Sequence, residues 1–222
     1  MKTPVAVLLS GGIDSTTALA VANRDEDPQL AVSVDYGQRH VKELEAAKQV
    51  AEFYGVKHVI LDMTGWGTLL SGSLTDPDVD VPSGNYDEDS MSITVVPNRN
   101  ATMLMAASGI ADSFGLKEVW TAVHAGDHTI YPDCRPEFIE SASNTAFLGT
   151  GGSVSIKAPF GKVSKTEIVR VGGEIGAPLG LTWSCYRGLE VHCGECGTCR
   201  ERKEAFNDSG VNDPTEYMNV SA

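Results

Sequence analysis

The chain has 222 residues, 41% of them hydrophobic and 21% charged, which suits one large soluble domain with a substantial core. Asp and Glu outnumber Lys and Arg 30 to 17, and the resulting net charge of −13 argues against nucleic acid or another polyanion as partner. No apolar run reaches the roughly 18 residues of a membrane span, and the start "MKTPVAVLLSGG" has too short an apolar stretch for a signal peptide, so a cytoplasmic location is expected.

In chain order, "PVAVLL" (4–9) predicts a strand buried on both faces, followed by a helix over 14–23 and a second strand at 30–34 ("LAVSV"). Val41, Leu44, Ala47, Ala51 and Tyr54 keep helical spacing across 39–54, and "VKHVIL" (56–61) reads as a third strand. Residues 64–97 break this rhythm with a Gly-, Ser-, Pro- and Asp-rich stretch, too long for an ordinary connection and read as a lid over the site or a solvated insertion. Beyond it come a helix at 98–114, a strand at 118–123 ("EVWTAV"), a helix near 136–146, a strand near 154–158 and a helix from about 164 to 175. The tail after about 208 is polar and is expected to be loosely held. Strands alternating with helices predict an α/β fold with a parallel sheet covered on both faces, its ligand site beyond the carboxyl ends of the strands.

At that edge, directly after the first strand, stands "LLSGGIDST" (8–16). Glycines let the backbone approach a ligand, and the following helix aims unpaired N–H groups and a positive dipole end at an anion. Ser10 and Ser15 add hydroxyls. The lysine of the G-x-x-x-x-G-K-[ST] loop is missing, which argues against ordinary γ-phosphoryl transfer. The hexapeptide resembles the S-G-G-x-D-S motif of PP-loop pyrophosphatases, which cleave ATP between the α and β phosphates. That resemblance gives Asp14 a part in positioning Mg2+ with the phosphates; otherwise it is a first-turn acid facing the helix dipole.

"SCYRGLEVHCGECGTCRER" sets Cys185, Cys193, Cys196 and Cys199 at C-x7-C-x2-C-x2-C. Four thiolates suit one closed, structural Zn2+, with an iron–sulfur cluster or a redox pair as the other readings. Arg187, Arg200, Arg202 and Lys203 are near enough in sequence to offset the net −2 of such a site, and His192 is left as a bystander. A zinc-knuckle nucleic-acid-binding protein is the rival from another class; the net charge and the long α/β domain tell against it.

Taken together with "DYGQRHVKELEAA" (35–47), "VPNRN" (96–100), "YPDCRPEF" (131–138), "KTEIV" (165–169) and the "WSCY" lead into the cysteines, these motifs resemble the 7-cyano-7-deazaguanine synthase family over residues 4–206. The resemblance implies a Rossmann-like adenine nucleotide α-hydrolase fold over residues 1–180 with a zinc element at 181–207. It implies conversion of 7-carboxy-7-deazaguanine, ammonia and ATP to the nitrile through adenylated acid and amide, by a homodimer that takes no nucleic acid. A relative that stops at the amide or joins another amine is the first rival. Carried over residue by residue, Leu8, Leu9, Ser10, Gly11, Gly12, Ile13, Asp14, Ser15, Thr16, Thr17 and Ala18 form the ATP block. Asp14, Ser15, Arg99 and Lys165 are the catalytic candidates, and Arg99, Asn100, Asp127, Asp133 and Arg135 the substrate-binding ones. Asn100 also reads as a helix cap, Asp127, Asp133 and Arg135 as a structural salt bridge, Lys165 as a solvated helix-start lysine, and Gln38, Arg39 and His40 as site or helix-start residues. Cys134 is a lone thiol that direct adenylation does not need. Asn98 stands where the family commonly has glycine, and "DHTI" (127–130) where D-Y-S-G is more usual.

Overall fold

The computed structural model describes residues 1–70, 72–76, 78–83 and 91–218. β1 (Pro4–Leu8), β2 (Asp27–Asp35), β3 (Lys57–Asp62), β4 (Glu118–Trp120) and β5 (Ser155–Lys157) form a parallel sheet in the order β3-β2-β1-β4-β5. The order reverses at β1, which pairs with β2 on one side and β4 on the other, so a crevice opens beyond its carboxyl end.

Alternation along β1 divides the core. Val5 and Val7 point to one face, against α1 (Ile13–Asp25), α2 (Lys42–Tyr54) and α6 (Lys165–Glu174). Ala6 points to the other, against α4 (Arg99–Ser113) and α5 (Pro136–Gly149). Period-2 side chains on a strand covered twice give the continuous apolar run seen in the sequence. Between β3 and α4 the described residues include a turn of helix, α3 (Thr64–Gly67), and a 3-10 turn at Ser92–Thr94. The last helix, α7 (Gly197–Ser209), packs on α6.

The strand expected at 118–123 ends at Trp120, because β5 pairs with it only as far as Lys157; Thr121, Ala122 and Val123 bend away to line the crevice. The stretch 64–97 is built into the fold where it is described. Leu74 is wholly buried with Val34, Tyr36 and Val96, and Val81 packs on the cysteine cluster. No described residue of that stretch lines the cavity; residues 84–90, part of the expected lid, lie outside the described residues. The tail is not loose through Met218. Asp213 Oδ1 lies 3.5 Å from Arg202 Nε, Tyr217 Oη donates to Asp213 Oδ2 (2.6 Å), and Met218 N–H donates to His192 O (2.8 Å). Polar side chains hold it there by charge and hydrogen bonds, which composition alone reads as solvation.

Two positions set the turns that face the crevice. Asn98, with φ 53°, opens α4 from the left-handed region, where Asn is tolerated better than most residues. Gly11 has φ +83°, and a Cβ there would stand 2.2 Å from Glu43 O and 2.6 Å from Ala47 N, so the turn rests directly on the backbone of α2. Gly11→Ala therefore combines strain with a backbone clash and lowers stability by about 2 kcal/mol or more. Denaturant unfolding reads this; an unchanged midpoint would contradict the close approach.

Candidate active site

A cavity of about 240 Å³ sits at the carboxyl edge of β1, β2 and β4. Its floor is the glycine turn. Leu8, Leu9, Ser10, Gly12, Ile13, Asp14 and Ser15 line it, while Gly11, Thr16, Thr17 and Ala18 lie behind, in contact with the fold. Ser10 Oγ and Ser15 Oγ are 3.0 Å apart, and Ser10 N–H donates to Ser15 Oγ, which locks the turn onto α1. Gly12 gives α1 no side-chain cap, so the helix offers its leading N–H groups and positive dipole end to a ligand.

Three charges from three segments meet beside the turn. Lys165 Nζ lies 3.1 Å from Asp14 Oδ2 and 2.8 Å from Glu201 Oε2. Burial opposes the ionised form of Asp14, but Lys165 and then His124 together outweigh it and hold this carboxyl below its usual range. Burial likewise opposes the ammonium, and Asp14 and then Glu201 raise Lys165 above an ordinary lysine. Glu201 goes the other way: burial raises it more than Lys165 lowers it. Asp14 Oδ1 is buried without a hydrogen-bond partner, and such an orphaned carboxylate oxygen in an anion cradle fits a divalent cation arriving with a nucleotide.

On another wall, Arg99 stands among phenols. It donates to Tyr36 Oη at 3.4 Å, and its guanidinium carbon is 6.0 Å from the ring centres of both Tyr36 and Tyr131. Burial works against its charge, and Tyr36, Tyr186 and Tyr131 more than offset this. Among the described residues no carboxylate pairs with it, so it remains open to an anionic ligand. His124 and Asp127 close the third side. His124 Nδ1 accepts from Gly126 N–H (3.1 Å), Asp127 Oδ2 accepts from His124 N–H (3.2 Å), and His124 Nε2 lies 3.6 Å from Asp127 Oδ1.

Asp133 and Arg135 do not line the cavity. Asp133 Oδ2 accepts from Asn100 N–H (2.8 Å), capping α4 from outside, because Asn98 supplies no side-chain cap. Arg135 is exposed and donates to His128 O (2.9 Å). Asn100 does reach the cavity, with its Nδ2 donating to Asp133 O and Cys134 Sγ. The Cys134 thiol is raised, first by burial and then by Asp127 and Asp133, which does not suit a nucleophile. Near α2, His40 lines the cavity and pairs with Glu43 (3.1 Å), and the buried Gln38 bridges Val34 O and Glu43.

The cysteines form the outer joint. All four sulfurs lie within 4.8 Å of one another and are buried, with Cys193 Sγ and Cys199 Sγ 3.9 Å apart. Tetrahedral coordination at about 2.3 Å per sulfur needs about 3.8 Å between sulfurs, so the cluster can hold one metal ion. The N–H groups of Cys193 and Cys196 point at Cys185 Sγ and Cys193 Sγ, as they would toward thiolates. Three of the nearby cations brace the loop: Arg187 pairs with Glu195, Arg200 Nε donates to Glu195 O, and Lys203 Nζ donates to Gly194 O. His192 Nε2 accepts from Ser184 N–H, and its ring packs on Trp183. Trp183 N–H in turn donates to Gly11 O (2.9 Å), so the cysteine element is tied to the glycine turn.

The sequence profile described as "Queuosine biosynthesis protein QueC" matches residues 4–210. The chain belongs to the QueC family. It is 50% identical over 220 residues to a 7-cyano-7-deazaguanine synthase of Brucella anthropi, spanning 98% of this chain and 94% of that one. A synthase of the same description from Alteromonas mediterranea is 48% identical over 217 residues, 98% of this chain and 100% of its own. Among solved structures, an NMN synthetase from Francisella tularensis shares the fold, with a TM-score of 0.53 and 15% identity over 100% of this chain and 79% of that one.

Within this QueC site, Tyr36, Tyr131, Tyr186 and Glu201 stand inside the motifs quoted above without those motifs marking their roles, and His124 stands outside them; the fold brings Glu201 beside the turn and the phenols around Arg99. The triad makes a pH-dependent prediction. In Lys165→Met, two carboxylates face each other without the ammonium, so both take up protons more readily folded than unfolded. A carboxyl raised on folding stabilises below its folded value and costs stability above it. The variant should therefore be least stable relative to wild type near pH 8 and regain part of the loss by pH 5, as thermal unfolding would record. A loss independent of pH would contradict the triad.

Proposed function

We propose that the chain converts 7-carboxy-7-deazaguanine, ammonia and ATP to 7-cyano-7-deazaguanine, through an adenylated acid and an amide. The observation that carries this reading is one cavity holding both an anion cradle and, on a separate wall, a guanidinium without a carboxylate partner among the described residues. A triphosphate suits the first, and a carboxylate suits Arg99.

A carboxylate is a poor electrophile because its oxygen leaves badly. With Arg99 gripping it, one oxygen attacks the α phosphorus, and pyrophosphate leaves into the turn of Ser10, Gly11, Gly12 and Ser15. Lys165 meets the charge that develops on the phosphates. Ammonia attacks the acyl-adenylate carbon, AMP departs with the former carboxylate oxygen, and a proton leaves the nitrogen to give the amide. The amide oxygen then attacks the α phosphorus of a second ATP, pyrophosphate again leaves, and loss of AMP with the remaining nitrogen protons yields the nitrile. Asp127 faces the base of the substrate, where an acceptor suits a guanine-like N1–H and amino group. Tyr36, Tyr131 and Tyr186 keep the Arg99 wall dry and aromatic.

Mg2+ brought with ATP would be held by Asp14 and supplies neutralising charge to the phosphates. Zn2+ on Cys185, Cys193, Cys196 and Cys199 fits as the closed structural ion that fixes the 181–207 element against the catalytic 1–180 region. We also read the enzyme as a cytoplasmic homodimer acting on small molecules without nucleic acid; all five cysteines are unpaired, and no helix among the described residues is long and apolar enough to cross a membrane.

Mass spectrometry of the products from enzyme, 7-carboxy-7-deazaguanine, Mg-ATP and ammonium tests the reading. It should show nitrile with two AMP per molecule formed. Amide alone would move the function to the amide-forming variant, and neither product would mean that the wall at 127–130 takes another substrate.

A further inference from the structure

Lys165 is the first residue of α6, directly after the Ser164 cap. The positive end of the helix dipole and partial burial both oppose an ammonium there. Something must hold it. Asp14 is one holder, but it belongs to the phosphate turn, and its other oxygen is the orphan that fits the nucleotide's cation. Once that cation is bound, Asp14 divides its charge between two partners.

Glu201 has no such competing demand. It lies on α7, whose cap is Cys196 and whose first turn carries Cys199, so the cysteine cluster fixes the start of this helix. The next residue, Arg202, is almost wholly buried. It donates to Thr182 Oγ1 (2.8 Å), Ser184 Oγ (3.0 Å) and Leu179 O (3.2 Å), and it lies 3.5 Å from Asp213. Cysteine cluster and guanidinium clamp bracket Glu201 in the chain, and its carboxylate meets Lys165 at 2.8 Å.

We propose that Glu201 is a positioning residue for the reaction: from the cysteine-bound helix it keeps the Lys165 ammonium aimed at the phosphate turn while Asp14 is engaged with the nucleotide. The proposal rests on the reaction described above for what Lys165 does, and on geometry alone for what Glu201 does. It also explains why a closed metal site stands beside a catalytic cavity. The cysteines fix a helix, the helix fixes a carboxylate, and the carboxylate fixes the lysine.

The test uses metal-loaded enzyme and follows AMP formation with 7-carboxy-7-deazaguanine. Glu201→Ala should lower kcat about tenfold or more, with KM for the acid little changed and metal content intact. Glu201→Gln, which keeps the side chain's shape, should fall between it and wild type. In a Lys165→Met background, Glu201→Gln should cause no further loss, because a residue that acts through Lys165 has nothing left to act on. Wild-type kcat in Glu201→Ala, or losses that multiply in the double variant, would overturn the proposal. So would loss of metal or of folded protein in both single variants, which would assign Glu201 to the scaffold. Failure of wild type itself to form AMP would instead refute the reaction, which keeps the two claims apart.

Discussion

The ammonium of Lys165, held between Asp14 and Glu201, is the contact on which the site depends. Each partner comes from a different segment on one side of the sheet: Asp14 from the first turn of α1, Lys165 from the start of α6, and Glu201 from the helix that the cysteines cap. A partly buried lysine with one carboxylate would be balanced but replaceable. With two, the cluster carries a net negative charge, which disfavours a bare nucleotide and favours one that arrives with a cation. Removing the lysine leaves two uncompensated carboxylates in a place water reaches poorly, whereas removing one carboxylate leaves a balanced pair with less to hold its geometry.

The rest of the architecture brings those three segments together. A parallel sheet whose order reverses at β1 places the glycine turn over a crevice, and Gly11 allows that turn to sit on α2 without a side chain between them. The segment before Cys185 then returns to the turn, with Trp183 N–H on Gly11 O, and Arg202 ties Leu179, Thr182 and Ser184 into one brace. Structural and chemical parts of the chain share residues here. A change in the cysteine loop moves the wall of the cavity, because Trp183, Ser184, Tyr186 and Thr198 line it.

Much of this is local, and what is local can be read from sequence. The strands of the sheet, the glycine turn and the four cysteines all have short-range patterns, and the structure places them where alternation and spacing put them. Asp133 and Arg135, carried over from the family resemblance as substrate residues, do not line this cavity: a helix start without its own cap needs an acceptor, and Asp133 supplies it. The roles of Glu201 and of the phenols around Arg99 are hidden for another reason: each stands in a sequence motif, but the segments that converge there lie far apart in the chain. α7 has only Ala205 and Phe206 as buried apolar anchors, so its periodicity is weak; metal-ready cysteines and the Arg202 clamp hold what hydrophobic pattern does not announce.

In the proposed reaction a substrate carboxylate oxygen attacks the α phosphorus of ATP in this cavity. The most direct measurement uses 7-carboxy-7-deazaguanine with 18O in the carboxylate and follows the label by mass spectrometry of the nucleotide and phosphate products. The account predicts 18O in AMP and unlabelled pyrophosphate. Label in inorganic phosphate, with ADP as the nucleotide product, would contradict it, because the glycine turn would then be serving transfer of the γ phosphoryl group.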